Sequence, residues 1–457
     1  MTRLLLICCL ISVISTAQGQ DSWSLQTCIK YAWDNNLVVQ QAELTTRNFE
    51  LTEKQNRFQR LPTINGSASA GYQFGRTIDP TTNTFNNTRI GFNSYGINGG
   101  VTVFDGNRIN SQVRQSKYDV QAAKFDAENT RQTVALSIAT AYLNILMGEE
   151  QLANAQTQRR LSEQQLERTS RLVEVGQLAP NARLDLEAQV ARNDQQIIEA
   201  QNAVDLAYLN LKQLLQFDPS KELTIERPEV DLEEQALVRQ FTVNEVYQAA
   251  MQSQPGVAAA EARLESSKVA EQVAASGNLP TLSIFGNLNT NYSSIARDFN
   301  NPNTDNAEVV ARDPVPVRID GQDIEVVFFD TEGITFPTVS YGDQLNENFG
   351  QSVGLSLNVP IYNNHRNNIA KERARLNTIS AEVSARQVTD QLKTDVQTAI
   401  TSFRAARNAY QAAERSLQAA DAAFNDAQRR FDVGAINTFE FNNAVDNLDV
   451  ARRELTR

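Results

Sequence analysis

The sequence predicts a mainly α-helical chain, duplicated internally, in which each copy places a β-hairpin between long coiled-coil helices. Three observations carry this prediction: an internal repeat, unbroken heptad seams, and short runs in which apolar and small polar residues alternate.

The repeat comes first, because a missed repeat spoils every later assignment. Residues Val39 to Pro62, running into Thr63, match Val257 to Pro280, running into Thr281, without a gap; Pro62 against Pro280 is an offset of 218. Further along, Val103 to Arg108 matches Ile361 to Arg366, and Arg171 to Gly176 matches Arg429 to Gly434, both at an offset of 258. The second copy therefore carries an insertion of 40 residues between its two strands. The expected organisation is a leader over 1–20, a first copy over 21–215, a linker over 216–242 and a second copy over 243–457, with the insertion at 294–348.

The helices follow from steps of four and three, the seam of a coiled coil. In the second copy Leu392, Val396, Ala399, Phe403, Ala406, Tyr410, Ala413 and Leu417 keep that rhythm through to Phe431. The first copy runs Val134, Ile138, Ala141, Ile145, Gly148, Leu152 and Ala155, then weakens. The helix between Asn107 and Val175 spans roughly 70 residues, on the order of 100 Å at about 1.5 Å per residue. Glycine is the usual residue just past a helix end, so Val175-Gly176 and Val433-Gly434 mark breaks, and Pro180 opens the next helix. That helix runs in the first copy to about Leu215, whose counterpart would fall beyond Arg457, so the last helix is expected to be incomplete.

The strands show period two. Ile64, Gly66, Ala68, Ala70, Tyr72 and Phe74 alternate with small polar residues; Val353, Leu355, Leu357, Val359 and Ile361 do the same, as do Thr281 to Tyr292 and Tyr95 to Val103. About ten residues with one apolar and one small polar face is the pattern of a membrane barrel, apolar toward lipid and polar toward a lumen. A soluble half-buried sheet is the plainer alternative. Four strands cannot close a barrel, since about eight are needed to enclose even side chains. An open sheet edge in lipid leaves backbone groups unpaired at several kcal/mol each, so several chains must share one barrel.

Composition excludes other classes. A net charge of −12 argues against nucleic acid. Arg3, an apolar core from Leu4 to Ile14 and small residues at 15–19 read as a secretory leader. Cys8 and Cys9 lie inside it, too early for acylation, so the mature chain keeps Cys28 alone and forms no internal disulfide. Cys28 aligns with Val246, as a small core residue would. His365 stands at a strand-to-helix exit without a second metal-ligand type nearby, and no phosphate loop or nucleophile motif occurs. No enzyme activity, cofactor or metal is expected. The insertion holds Val309, Val310, Val315, Val317, Ile324 and Phe329 with turn signals at Asp313-Pro314 and Asp320-Gly321, consistent with a hairpin of its own that serves as a lid or is simply a variable outer loop.

The paired Leu-Pro-Thr hairpin entries, the Phe104-Asp105-Gly106 and Ile361-Tyr362-Asn363 exits and the paired Val-Gly breaks resemble the TolC-like outer-membrane efflux protein family over essentially the whole mature chain. The resemblance implies a homotrimer in the bacterial outer membrane, with a shared twelve-stranded barrel and an α-helical periplasmic tunnel. It also implies a passive exit duct in contact with outer-membrane lipid, driven by an inner-membrane pump through a periplasmic adaptor. The adaptor would dock at Val175, Gly176, Val433 and Gly434. An acidic aperture would follow the second Val-Gly: Glu440 holds the first position, the second is Asn443 and departs from the pattern, and Asp446 lies further along. Acids early in a helix also suit its dipole without any such role. Efflux and type I secretion both fit, and cargo selection would lie with the pump. The rival reading is a secreted coiled-coil structural or adhesin-like protein without a pore.

Overall fold

The computed structural model describes residues 22–78, 85–87, 89–228, 241–320 and 322–456. The predicted leader and residues 229–240 of the linker lie outside these residues. The first copy comprises α1 (Leu25–Asn35), α2 (Leu37–Phe58), β1 (Thr63–Gln73), the short β2 (Arg76–Ile78) and β3 (Phe85–Asn87), β4 (Ile90–Phe104), α3 (Arg108–Glu174) and α4 (Pro180–Leu215). The second comprises α5 (Val243–Ser253), α6 (Pro255–Ser276), β5 (Thr281–Ser293), β6 (Glu308–Ala311), β7 (Val315–Ile319), β8 (Gln322–Val326), β9 (Phe329–Glu332), α7 (Tyr341–Glu347), β10 (Gly350–Asn358), α8 (Arg366–Asp432) and α9 (Thr438–Thr456). Helices α3 and α8 have 67 residues each. Between the main strands of the first copy lie residues 74–89, and between those of the second 294–349.

The chain divides into two compact units, one of residues 1–51, 116–266 and 378–457, the other of 52–115 and 267–377. In the first, helical unit, Cys28, Ala32 and Val39 from α1 and α2 meet Ile138, Tyr142 and Ile145 of α3 and Leu211 and Leu215 of α4 in one buried cluster. Burial raises the Cys28 thiol to about 11, so it stays a neutral packing group. Ser24 caps α1 through its hydroxyl, and the Asn36 amide between α1 and α2 donates to the Leu214 carbonyl at 2.8 Å, tying the break to the end of α4. Asn36 corresponds to Gln254, where Pro255 opens α6 at a position that needs no N–H.

The second unit holds an antiparallel sheet in the order β1-β4-β5-β10. Its register puts Ile64, Ala68, Ile97, Ile284, Leu288, Val353 and Leu355 on one face and Asn65, Ser67, Asn98, Ser283, Asn287 and Ser352 on the other. The two faces separate as the period-two pattern requires. None of the four strands contains a charged residue. β1 and β10 each pair on one side only, so the sheet has two open edges. The last strand ends at Asn358, short of the predicted Ile361, because Pro360 has no N–H for a ladder. β6 pairs with β9 and β7 with β8, a hairpin turning at Asp320 as the insertion's turn signal indicates. Both sheet exits use two successive left-handed residues, Gly106-Asn107 and Asn364-His365. Asn and His tolerate that region better than most residues, which gives the single histidine a conformational reason for its place.

Candidate functional site

The candidate site is the pair of helix breaks, both within the helical unit. After α3, Gly176 takes φ +76°, its N–H donates to the Val173 carbonyl at 3.0 Å and the Gln177 N–H to the Leu172 carbonyl at 2.9 Å. After α8, Gly434 takes φ +75°, donating to Phe431 at 3.0 Å, while Ala435 donates to Arg430 at 2.7 Å. Both are Schellman closures, which need a left-handed residue and so favour glycine. Nothing lies within 4 Å of a Cβ added at either glycine, so neither is there to admit a neighbour. The preceding valines project into solvent, Val175 at 69% and Val433 at 79% exposure. Each break thus presents an apolar residue at a rigid corner.

Beside them α3, α4, α8 and α9 enclose a cleft of about 460 Å³, lined by Gln165, Arg168, Leu186, Phe424, Phe441 and Asp446 among others. Phe441 is buried, stacked on Phe431 with centroids 4.8 Å apart. Arg168 ion-pairs with Asp432, and its guanidinium lies 4.8 Å from the centroid of Phe431. Asn193 of α4 donates to the Ser162 hydroxyl at 2.8 Å and accepts from Gln189 at 3.1 Å.

Sequence reasoning carried the seam of α8 through to Phe431. It missed Arg168, for which no heptad signal exists, and Phe441, although Phe441 stands seven residues before the buried Leu448 and so shares its heptad position. It also read the first-copy seam as fading after Ala155. The buried column in fact continues as Gln158, Ser162, Gln165 and Thr169. Polar side chains and a step of three after Ala155 in place of four hide it from an apolar count.

The three proposed aperture residues do not form one row. Asn437 caps α9, accepting from the Glu440 N–H at 2.9 Å and donating to the Glu440 carboxylate at 3.2 Å. This reciprocal pair is a capping arrangement. Glu440, Asn443 and Asp446 are all exposed, and Asp446, about 120° around the helix from Glu440, also lines the cleft. One turn on, burial pushes the Asp449 carboxyl up, opposed by Arg453 and assisted by Asp446.

The family model described as "Outer membrane efflux protein" matches residues 28–215 and 339–457, covering most of both repeats. The chain belongs to the outer membrane efflux protein family. That membership places this efflux-family chain in the bacterial outer membrane. Outer membrane protein TolC of Salmonella enteritidis is 26% identical over 124 residues, a match covering 27% of this chain and 25% of that protein. TolC of Escherichia coli (strain K12) is 25% identical over 122 residues, covering 26% of this chain and 25% of that protein. Among solved structures, VceC of Vibrio cholerae aligns with a TM-score of 0.73 at 14% identity, covering 94% of this chain and 91% of that one. The CmeC outer membrane channel of Campylobacter jejuni aligns at 0.69 and 17%, covering 94% and 81%. At these identities the likeness establishes the fold. Among the described residues no helix is long and apolar enough to cross a membrane.

Proposed function

We propose that this chain is a passive exit duct of the outer membrane, three copies of which complete one barrel. The observation that carries the proposal is the sheet: four strands free of charge, one face apolar and exposed, and unpaired edges at β1 and β10. In lipid those edges must pair, and β1 of one copy against β10 of the next satisfies both at once. Twelve strands then surround a lumen facing the Asn and Ser side chains, and the helices extend into the periplasm as a tunnel. In this reading Val175-Gly176 and Val433-Gly434 form the corners that a periplasmic adaptor engages, and an inner-membrane pump supplies the energy. Glu440, with Asn443 and Asp446 beside it, lies at the tunnel end, where exposed carboxylates favour cations. The exposed apolar face disfavours a soluble adhesin-like role, since a contiguous apolar surface of this kind marks an interaction or membrane site.

The test is biochemical. The purified protein is expected to leave the outer membrane only in detergent, to run as a trimer, and to conduct ions across a planar bilayer. A water-soluble monomer without conductance would sink the proposal.

A further inference from the structure

We propose that α7 is a membrane-interface helix: with Tyr95, Tyr292 and Tyr341 it seats the outer end of the sheet in the polar headgroup layer of the outer leaflet. The inference rests on the duct reading and adds to it a lipid contact made by the second copy's insertion. Four side chains of the sheet hold the helix. The Tyr95 and Tyr341 hydroxyls share a hydrogen bond at 2.8 Å, and the Asn93 amide donates to the Tyr341 hydroxyl at 3.3 Å. The Thr290 hydroxyl donates to the Leu345 carbonyl at 2.7 Å, and the ring centroids of Tyr292 and Tyr341 lie 4.8 Å apart. Tyr95 pairs with Thr290 and Asn93 with Tyr292, in step with the pair Ile97 and Leu288. All four therefore stand on the apolar face, opposite the Asn and Ser face.

The depth follows from strand length. A barrel strand crosses the hydrocarbon in about 9–11 residues. Counted from the ends joined to the helices, Phe104 of β4 and Thr281 of β5, Tyr95 and Thr290 are each the tenth residue. Nearer those ends Ile97, Ile284 and Leu288 are left exposed. The helix thus begins where the hydrocarbon stops. Tyrosine suits that level, with a ring for the apolar side and a hydroxyl for the wet one. The outward stripe of α7, Asp343, Asn346 and Glu347 at steps of three and four, is exposed and polar, which fits headgroups and not acyl chains. The helix rests on β4 and β5, the two inner strands, and leaves the edges at β1 and β10 to a neighbouring copy. Lipid, and not a second copy, is then what faces it.

Depth-resolved fluorescence quenching in proteoliposomes tests this. Asn346→Cys and Val353→Cys variants carry a small thiol-linked fluorophore, and the wild-type chain serves as blank, since Cys28 is fully buried. The bilayer holds a spin-label quencher either on the lipid headgroup or at the middle of the acyl chain. The ratio of headgroup to mid-chain quenching is expected to exceed one for Asn346→Cys and to fall below one for Val353→Cys. Adding Tyr341→Ala is expected to lower headgroup quenching in Asn346→Cys and to leave Val353→Cys unchanged. Three results overturn the proposal: quenching of Asn346→Cys by aqueous iodide but by neither lipid, a ratio there no higher than for Val353→Cys, or headgroup quenching that survives Tyr341→Ala undiminished. Glu347→Cys, on the same stripe, repeats the measurement if Asn346→Cys does not assemble. Lipid quenching absent from Val353→Cys as well fails the duct reading itself, whereas its presence there alone fails only the interface role of α7.

Discussion

The two repeats carry the same heptad seam but bury it differently. Ile145 of the first repeat is fully buried, whereas its counterpart Phe403 is 41% exposed. Leu152 is half-buried, and its counterpart Tyr410 is 40% exposed. The cause is what faces them. Ile145 sits in a cluster closed by Cys28 of α1, while α5, the counterpart of α1, has no buried residue. Equal patterns thus give unequal burial, because a seam specifies a surface and its partners decide whether that surface is filled.

The largest expected effect breaks the comparison directly. Ile145→Ala should cost about 2–5 kcal/mol, the range for emptying a filled core position, read from urea unfolding in detergent. Phe403→Ala should cost well under that in a dissociated chain and should instead lower the temperature at which the trimer falls apart. Equal losses in the dissociated chain would show that the two seams are packed alike.

A second contrast lies where the first copy turns polar. Ser162 and Asn193 form a buried hydrogen-bonded pair; the equivalent positions in the second copy are Ala420 and Ala451. Ser162→Ala alone should cost about 1–3 kcal/mol, because it strands the Asn193 amide. Adding Asn193→Ala rebuilds the pair of the other repeat and should recover most of that loss, a coupling that a double-mutant cycle reads. Additive losses would mean the hydrogen bond contributes nothing.

The fold was legible in the sequence because both of its signals are periodic. Steps of four and three marked α3 and α8, alternation marked β1 and β5, and the two offsets measured the insertion. The Val-Gly breaks were legible because a Schellman closure leaves glycine little competition. What was not legible depends on contacts between elements distant in sequence. Arg168 matters through Asp432 and Phe431, hundreds of residues away, and no local pattern announces it. The column Gln158, Ser162, Gln165 and Thr169 escaped because a polar seam looks like a surface. The aperture acids were readable as residues, yet the capping of α9 by Asn437 shows why Glu440 has a structural task of its own.

The smallest effect concerns Asp119, whose counterpart in the second repeat is Asn377. Asp119 is half-buried on α3; its burial pushes the carboxyl above the usual carboxylate range, and a hydrogen bond from Ser266 only partly offsets this. A carboxyl whose folded value is raised binds more protons in the folded state than in the unfolded one. Its contribution to stability therefore falls as pH rises through the window from the ordinary value near 3.8 up to the raised one, and stays lost above it. Asp119→Asn, which copies the second repeat, removes the titration, keeps a group that can accept from Ser266, and should stabilise the helical unit at neutral pH by no more than about 1 kcal/mol. Urea midpoints measured from pH 4 to pH 7 should rise with acidity more steeply for the wild-type chain than for the variant. Parallel curves would mean that the Ser266 hydrogen bond, and not burial, sets the state of this carboxyl, and the two repeats would then differ at this position in sequence but not in energy.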